Sequence, residues 1–121
     1  MPFLQFDCSA VMTEGEKQAF VRQVTDQYAE HMDAETNHVA VAIRERSTAE
    51  LAIGRTGFDE PCLVLDADVR RGREFEQKRS FALAVMGLAA DTWGLRDPNM
   101  KVVFTEHAGE ELMGVDRVGS E

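Results

Sequence analysis

The residues whose types and positions could do chemistry stand at the start of this chain and just past its middle. Proline 2 is a small penultimate residue, so loss of the initiator Met would leave a secondary amine joined directly to the apolar run Phe3-Leu4-Gln5-Phe6. An amine held among apolar and cationic groups loses its charged form to desolvation and like charge, and its pKa falls toward neutrality. A general base working near pH 7, or an amine nucleophile, needs that shift. The second group is Val69-Arg70-Arg71-Gly72-Arg73. A guanidinium fork can hold a carboxylate through two parallel bonds, and Gly72 permits a tight turn through which Arg70 and Arg73 would converge. The same run also reads as a solvated basic turn paired with Glu74 and Glu76, and a Met-Pro start is common by chance. Together, however, the two groups describe a cationic site with a neutral amine beside it.

Elements must hold these residues in place. "PFLQFD" at residues 2–7 and "PCLVLD" at 61–66 state one strand twice, with Pro2/Pro61, Leu4/Leu63 and Asp7/Asp66 identical. Strands are expected at 2–8 and 61–68. Thr13-Glu14-Gly15-Glu16 carries a capping-box pattern ahead of an amphipathic run, which predicts a helix over 14–32 with Phe20, Val24, Tyr28 and Met32 on its buried stripe. Residues 38–45 read as a strand, and Gly54, Gly57 and Asp59 punctuate a loop beyond it. A second helix is expected over 74–93. Its two apolar stripes, Phe81/Val85/Leu88/Thr92 and Leu83/Met86/Ala90/Trp93, predict that it is the more buried of the two. Gly94 can end it at positive φ, Asp97-Pro98-Asn99 makes a turn, and 101–106 closes as a strand. The fold class is α/β: two tandem βαβ units, at about 2–46 and 61–106, with pseudo-twofold symmetry, parallel strands within each unit and a C-terminal segment 107–121.

Composition sets outer bounds. With 121 residues, 44% of them hydrophobic and 29% charged, the chain suits one domain. A net charge of -9 would repel a phosphate backbone, so neither nucleic acid nor an anionic membrane is expected as a partner. No apolar run approaches a membrane span and no leader pattern is present, which points to the cytoplasm. Cys8 and Cys62 sit in apolar strand-like segments without metal-ligand spacing, so both read as small buried hydrophobes and no metal is expected.

Pro after Met, the doubled βαβ plan, the helix opening at Thr13 to Lys17, "VTDQY" at 24–28, "VRRGRE" at 69–74 and "VVFTE" at 102–106 resemble, in order and spacing, the tautomerase superfamily. Within it the pattern resembles the cis-3-chloroacrylic acid dehalogenase-like group. The resemblance implies a four-stranded, mainly parallel sheet with two helices on one face and a homotrimer with sites near the subunit contacts. It also implies catalysis by Pro2 as base or acid without a cofactor, and Arg70 and Arg73 gripping a small carboxylate substrate. Tyr28 falls where that group has a carboxylate-binding histidine; its phenol could donate a hydrogen bond, or it could simply complete the helix stripe. Arg71 matches no family role.

The water-activating tyrosine and glutamate of the dehalogenases are replaced by Val103 and Gly114, and Glu110, Glu111 and Asp116 are either substitutes or solvated surface. Where an aspartate would favour a decarboxylase the chain reads Thr36-Asn37-His38, and His38, expected at an exposed strand edge, receives no role. The expected activity is enol–keto tautomerisation of a 2-oxo or 2-hydroxy-enoic acid. Hydration, dehalogenation or decarboxylation of a three-carbon acid is the rival within enzymes, and an anion-binding oligomeric module the rival outside them.

Overall fold

Local sequence signals start and stop each element. The computed structural model describes residues 1–55 and 57–120, with strands β1 (Phe3–Cys8), β2 (Ala40–Glu45), β3 (Leu63–Arg70) and β4 (Met100–His107) and helices α1 (Glu14–Met32) and α2 (Phe75–Trp93). Thr13 caps α1: its hydroxyl accepts from the Glu16 N–H at 3.1 Å, while the Glu16 carboxylate accepts from the Thr13 N–H at 2.9 Å. This reciprocal pair satisfies two donors that a helix start would otherwise leave unmet. At α2 one half of this pair is made: the Gln77 side-chain carbonyl accepts from the Glu74 N–H at 2.9 Å, while the Gln77 N–H donates to the Glu74 backbone carbonyl at 3.1 Å. Asp33 and Gly94 end the two helices in the left-handed region, at φ 51° and 65°.

The sheet runs β2-β1-β3-β4, with β1/β2 and β3/β4 parallel and β1/β3 antiparallel. Phe6 pairs with Leu65, and these two are also counterparts in the repeated strand, so the pseudo-twofold axis passes through that pair. Alternation does the rest. Leu4, Phe6 and Cys8 on β1 and Leu63, Leu65, Ala67 and Val69 on β3 point to one face and are buried there under the helices. Phe6 meets Phe20 edge-on at 5.0 Å, Phe20 meets Trp93 at 4.7 Å, and Tyr28 meets Phe81 at 5.2 Å, which ties sheet and helices together. The opposite face carries Phe3, Gln5 and Asp7 and has no helix over it; Phe3 and Val103, on that face, are 40% and 42% exposed.

Both cysteines are buried free thiols. Among the described residues no helix is long and apolar enough to cross a membrane.

Two expectations, on β3 and on His38, need correction. β3 begins at Leu63 and runs through Arg70, because its ladder with β4 extends to the Arg70–His107 pair; Val69 and Arg70 are therefore strand, and only Arg71 and Gly72 form the turn, Gly72 at φ 112°. Each helix buries four residues, and α2 leaves fewer residues exposed than α1, although Leu83 on its second stripe is 50% exposed. Leu83, Met86 and Ala90 instead line a groove beside Met100 of the edge strand β4. His38 belongs to a short 3-10 turn, Thr36–His38, and not to β2.

Candidate active site

The antiparallel pairing of β1 with β3 brings the two chemical groups together. Phe3 lies opposite Asp68, so the head of β1 and the tail of β3 share one end of the sheet. Helix α1 runs back to that end and delivers Tyr28, Met32 and Asp33. A cleft of about 250 Å³ opens there, lined by Met1, Pro2, Tyr28, Arg70 and Arg73, together with Asp33 to Glu35, His38, Arg117 and Gly119.

Backbone carbonyls hold the arginines. Arg73 donates from Nε to the carbonyl of Met32 at 3.0 Å, and Arg70 donates from Nη1 to the carbonyl of Gly119 at 3.0 Å. The Met32 carbonyl lies at the C-terminus of α1, where orphaned acceptors and the negative end of the helix dipole favour a cation. Each bond uses one of the five N–H donors of a guanidinium and fixes its plane, which leaves the fork pre-oriented toward the cleft.

At the head of β1, Pro2 is buried and its carbonyl accepts from the Ala40 N–H at 3.1 Å. The Met1 amine is pushed below the usual range of an α-amine, first by burial and then by the positive charges of Arg73, Arg70 and Arg117. Tyr28 satisfies both of its sequence readings at once: it is 1% exposed within the helix stripe, and it lines the cleft. Burial pushes its phenol up, against the opposing pull of Arg73 and Arg70, so at neutral pH it is a protonated hydrogen-bond donor.

The remaining candidates lie elsewhere. Arg71 is exposed, and its backbone N–H is spent on the His107 carbonyl at 2.8 Å. Val103 is on the helix-free face of the sheet, away from the cleft. Gly114 lies outside the lining too, although a Cβ built there would come within 3.3 Å of the Met1 side chain. Glu110, Glu111 and Asp116 are exposed, and Glu111 is engaged by the Ala108 N–H at 2.9 Å.

Four lining residues carry chemistry that the sequence reading did not assign: Asp33, Glu35, His38 and Arg117. One signal was available. Arg117 is the only lysine or arginine after Lys101, set between Gly114 and Gly119 in an otherwise acidic tail. Among the described residues no cluster of three His, Cys, Asp or Glu side chains is arranged for a metal.

Fold and cleft together define a small two-layer α/β protein with an arginine-lined cleft over the head of its first strand. Residues 2–59, just under half of the chain, match the family model described as Tautomerase enzyme. The fold is similar to that of Pt0534 inactivated by 2-oxo-3-pentynoate, at TM-score 0.85 and 15% identity over 98% of this chain and 95% of that one. It is also similar to a fused 4-OT symmetric trimer (TM-score 0.83, 21% identity, 94% and 93% covered). A third likeness is N1, a member of the cis-3-chloroacrylic acid dehalogenase family (TM-score 0.82, 19% identity, 96% and 82% covered). A search among curated proteins finds no match. The fold is also similar to that of FG41 malonate semialdehyde decarboxylase, at TM-score 0.79 and 15% identity over 95% of this chain and 91% of that one.

Proposed function

We propose that this protein is a cofactor-independent tautomerase that moves a proton between oxygen and carbon in a small 2-hydroxy-enoic acid. The observation that carries the proposal is the depressed amine at the head of β1, set in one cleft with Arg70 and Arg73. With Met1 removed, the secondary amine of Pro2 would take over this environment. Neutral at working pH, it would accept the enol O–H proton; the O–H electrons become the C=O bond, and the C=C electrons take a proton back at carbon from the prolinium. Arg70 and Arg73 would hold the substrate carboxylate, and Tyr28 would donate a further hydrogen bond. Positive charge beside the developing enolate stabilises it, and a fixed carboxylate orients the reacting carbon.

A homotrimer fits the helix-free sheet face, where Phe3 and Val103 are exposed, and the fused 4-OT relative is a symmetric trimer. We propose the same assembly here, with a small carboxylate as ligand and neither nucleic acid nor membrane as partner.

A second enzymatic reading draws on the cleft acids. Asp33 and Glu35 could activate water for hydration or dehalogenation of a three-carbon acid, in place of the pair that Val103 and Gly114 do not supply.

The test is an enol-to-keto assay on phenylpyruvate and 2-hydroxymuconate, with the mass of the intact chain measured beside it. The proposal requires loss of Met1 and turnover that collapses in Pro2→Ala and Arg73→Ala. Turnover of 3-haloacrylate alone would favour the water chemistry. Anion binding without any turnover, unchanged in Pro2→Ala, would leave a binding module.

A further inference from the structure

The pseudo-twofold axis supplies an internal control for the outer surface. Helices α1 and α2 are each 19 residues long, so Glu14 corresponds to Phe75, Lys17 to Lys78 and Arg22 to Leu83. Each helix forms a groove with the edge strand beside it. Lys17, Val21, Arg22 and Ile43 line one between α1 and β2; Phe75, Ala82, Met86, Val102 and Phe104 line one of about 460 Å³ between α2 and β4. A further groove of about 340 Å³ shares Met86 and Met100 with the latter and continues it along Leu83, Gly87 and Ala90. The ion pairs correspond as well, Lys17 with Glu45 on β2 and Lys78 with Glu106 on β4 at 2.9 Å.

Other positions differ. Phe75 stands for Glu14, Leu83 for Arg22, Met86 for Thr25 and Gly87 for Asp26. Helix α1 serves the same fold with polar residues at these places, so the fold does not require apolar ones on α2. Phe75 and Leu83 are nonetheless 69% and 50% exposed. A continuous apolar strip with adaptable methionines in its floor marks a surface that a partner covers.

Charge says which partner. The groove between α2 and β4 carries Lys78, Arg79 and Lys101 on its lining and no acid. Lys17 is held by Glu14 as well as Glu45, whereas among the described residues Lys78 pairs with Glu106 alone, and the Arg79 and Lys101 side chains make no hydrogen bond or ion pair. The net charge of -9 opposes an acidic partner only weakly at contact, because salt screens exposed charges beyond about 8 Å. From Phe75 to Ala90 the strip runs about 22 Å along α2, the length of about four turns of a second helix.

We propose that the groove between α2 and β4 docks an amphipathic helix of a partner protein, whose apolar stripe packs on Phe75, Leu83 and Met86 and whose flanking Asp or Glu side chains meet Arg79 and Lys101. This docking is independent of the reaction proposed for the cleft, and it uses the helix-bearing side of the sheet, opposite the face proposed for assembly.

The experiment titrates the full chain into a fluorescein-labelled helical peptide with leucine at every third or fourth position and glutamate beside each leucine, and into the same peptide with lysine for glutamate. The glutamate peptide is expected to bind. The lysine peptide should bind about tenfold more weakly or worse, since like charges then face Arg79 and Lys101. Phe75→Glu combined with Leu83→Arg places the α1 residues on α2 at exposed positions and leaves the net charge unchanged. It should weaken the glutamate peptide by about tenfold or more, as loss of apolar anchors does. Arg79→Gln should weaken it by about two- to fivefold at low salt, an effect that fades as salt is added.

Thermal melts check that the variants fold, and Leu83→Gln serves if the double variant does not. Equal binding of the two peptides, or full binding by the folded apolar variant, overturns the inference. Absence of binding by the glutamate peptide overturns it too. In that case dodecanoate bound in calorimetry would give the groove to an amphiphilic carboxylate, and a lower mass of the double variant in light scattering would give it to a second copy of this chain.

Discussion

The two ends of the sheet are related by the pseudo-twofold axis, and only one of them carries the proposed site. At the cleft end, Pro2 begins β1 beside the tail of β3, a left-handed residue (Asp33) ends α1, and the 3-10 turn Thr36–His38 follows. At the far end, Pro61 precedes β3 beside the tail of β1, Gly94 ends α2 in the same left-handed region, and the 3-10 turn Asp97–Asn99 follows. Even the carbonyls correspond: Pro2 accepts from Ala40 N–H at 3.1 Å, Pro61 from the Asn99 side chain at 3.0 Å.

The chemistry does not correspond. Where β3 ends in Arg70, with Arg73 just past the turn, β1 ends in Cys8, and the hydroxyl of the following Ser9 accepts from the Cys62 N–H at 2.9 Å. Pro61 lies inside the chain and has no amine to offer. One backbone plan, used twice, therefore carries the proposed site only where a chain terminus and a cationic turn coincide.

The largest expected effect comes from breaking the catalytic half of that comparison. Pro2→Ala should lower kcat by about 10²–10⁴-fold, the usual range for a lost general base, while calorimetry shows anion binding retained. Arg73→Ala should lower kcat/KM by about tenfold to a hundredfold, as expected for a charge-assisted contact. It should also displace the pH profile. In the proposed mechanism the neutral amine is the active form, so rate rises with pH through the amine pKa. Arg73 helps depress that pKa, and removing it moves the rising limb to higher pH.

The far end sharpens the comparison through stability alone. Asn99→Ala leaves the Pro61 carbonyl without its donor and should cost about 1–3 kcal/mol in urea unfolding, with kcat/KM within about twofold of the parent. Tyr28→Phe is the smallest change expected. The ring keeps its packing on Phe81, and loss of one neutral hydrogen bond, about 1 kcal/mol, should raise KM roughly fivefold.

These asymmetries were unequally legible in the sequence. The capping box at Thr13 and the four-residue spacing of Phe20, Val24, Tyr28 and Met32 announce α1 because local chemistry alone decides them. The repeated strand announces the twofold plan, and hence the meeting of Pro2 with Arg70 and Arg73. Register was less legible. The ladder with β4 draws Arg70 into β3, which no property of Arg70 itself announces. The 3-10 turn at Thr36–His38, too short for a periodic pattern, turns His38 into the cleft. Arg117 was hidden most deeply, because its hairpin depends on the close backbone packing of Gly109 and Gly119, residues far from any apolar repeat.

The central claim is that the amine at the head of β1 is neutral near pH 7 and stands beside the arginine clamp. The most direct measurement labels the intact protein with 2-oxo-3-pentynoate across pH and locates the adduct by peptide mass. The amine would add to the triple bond, its proton passing to the adjacent carbon, while the clamp holds the carboxylate. The expected result is a single adduct on Pro2, with Met1 absent, a pH midpoint below the value of about 8 usual for an α-amine, and much slower labelling in Arg73→Ala. Labelling spread over the lysines, or a midpoint at or above about 8 that Arg73→Ala leaves unmoved, would contradict it.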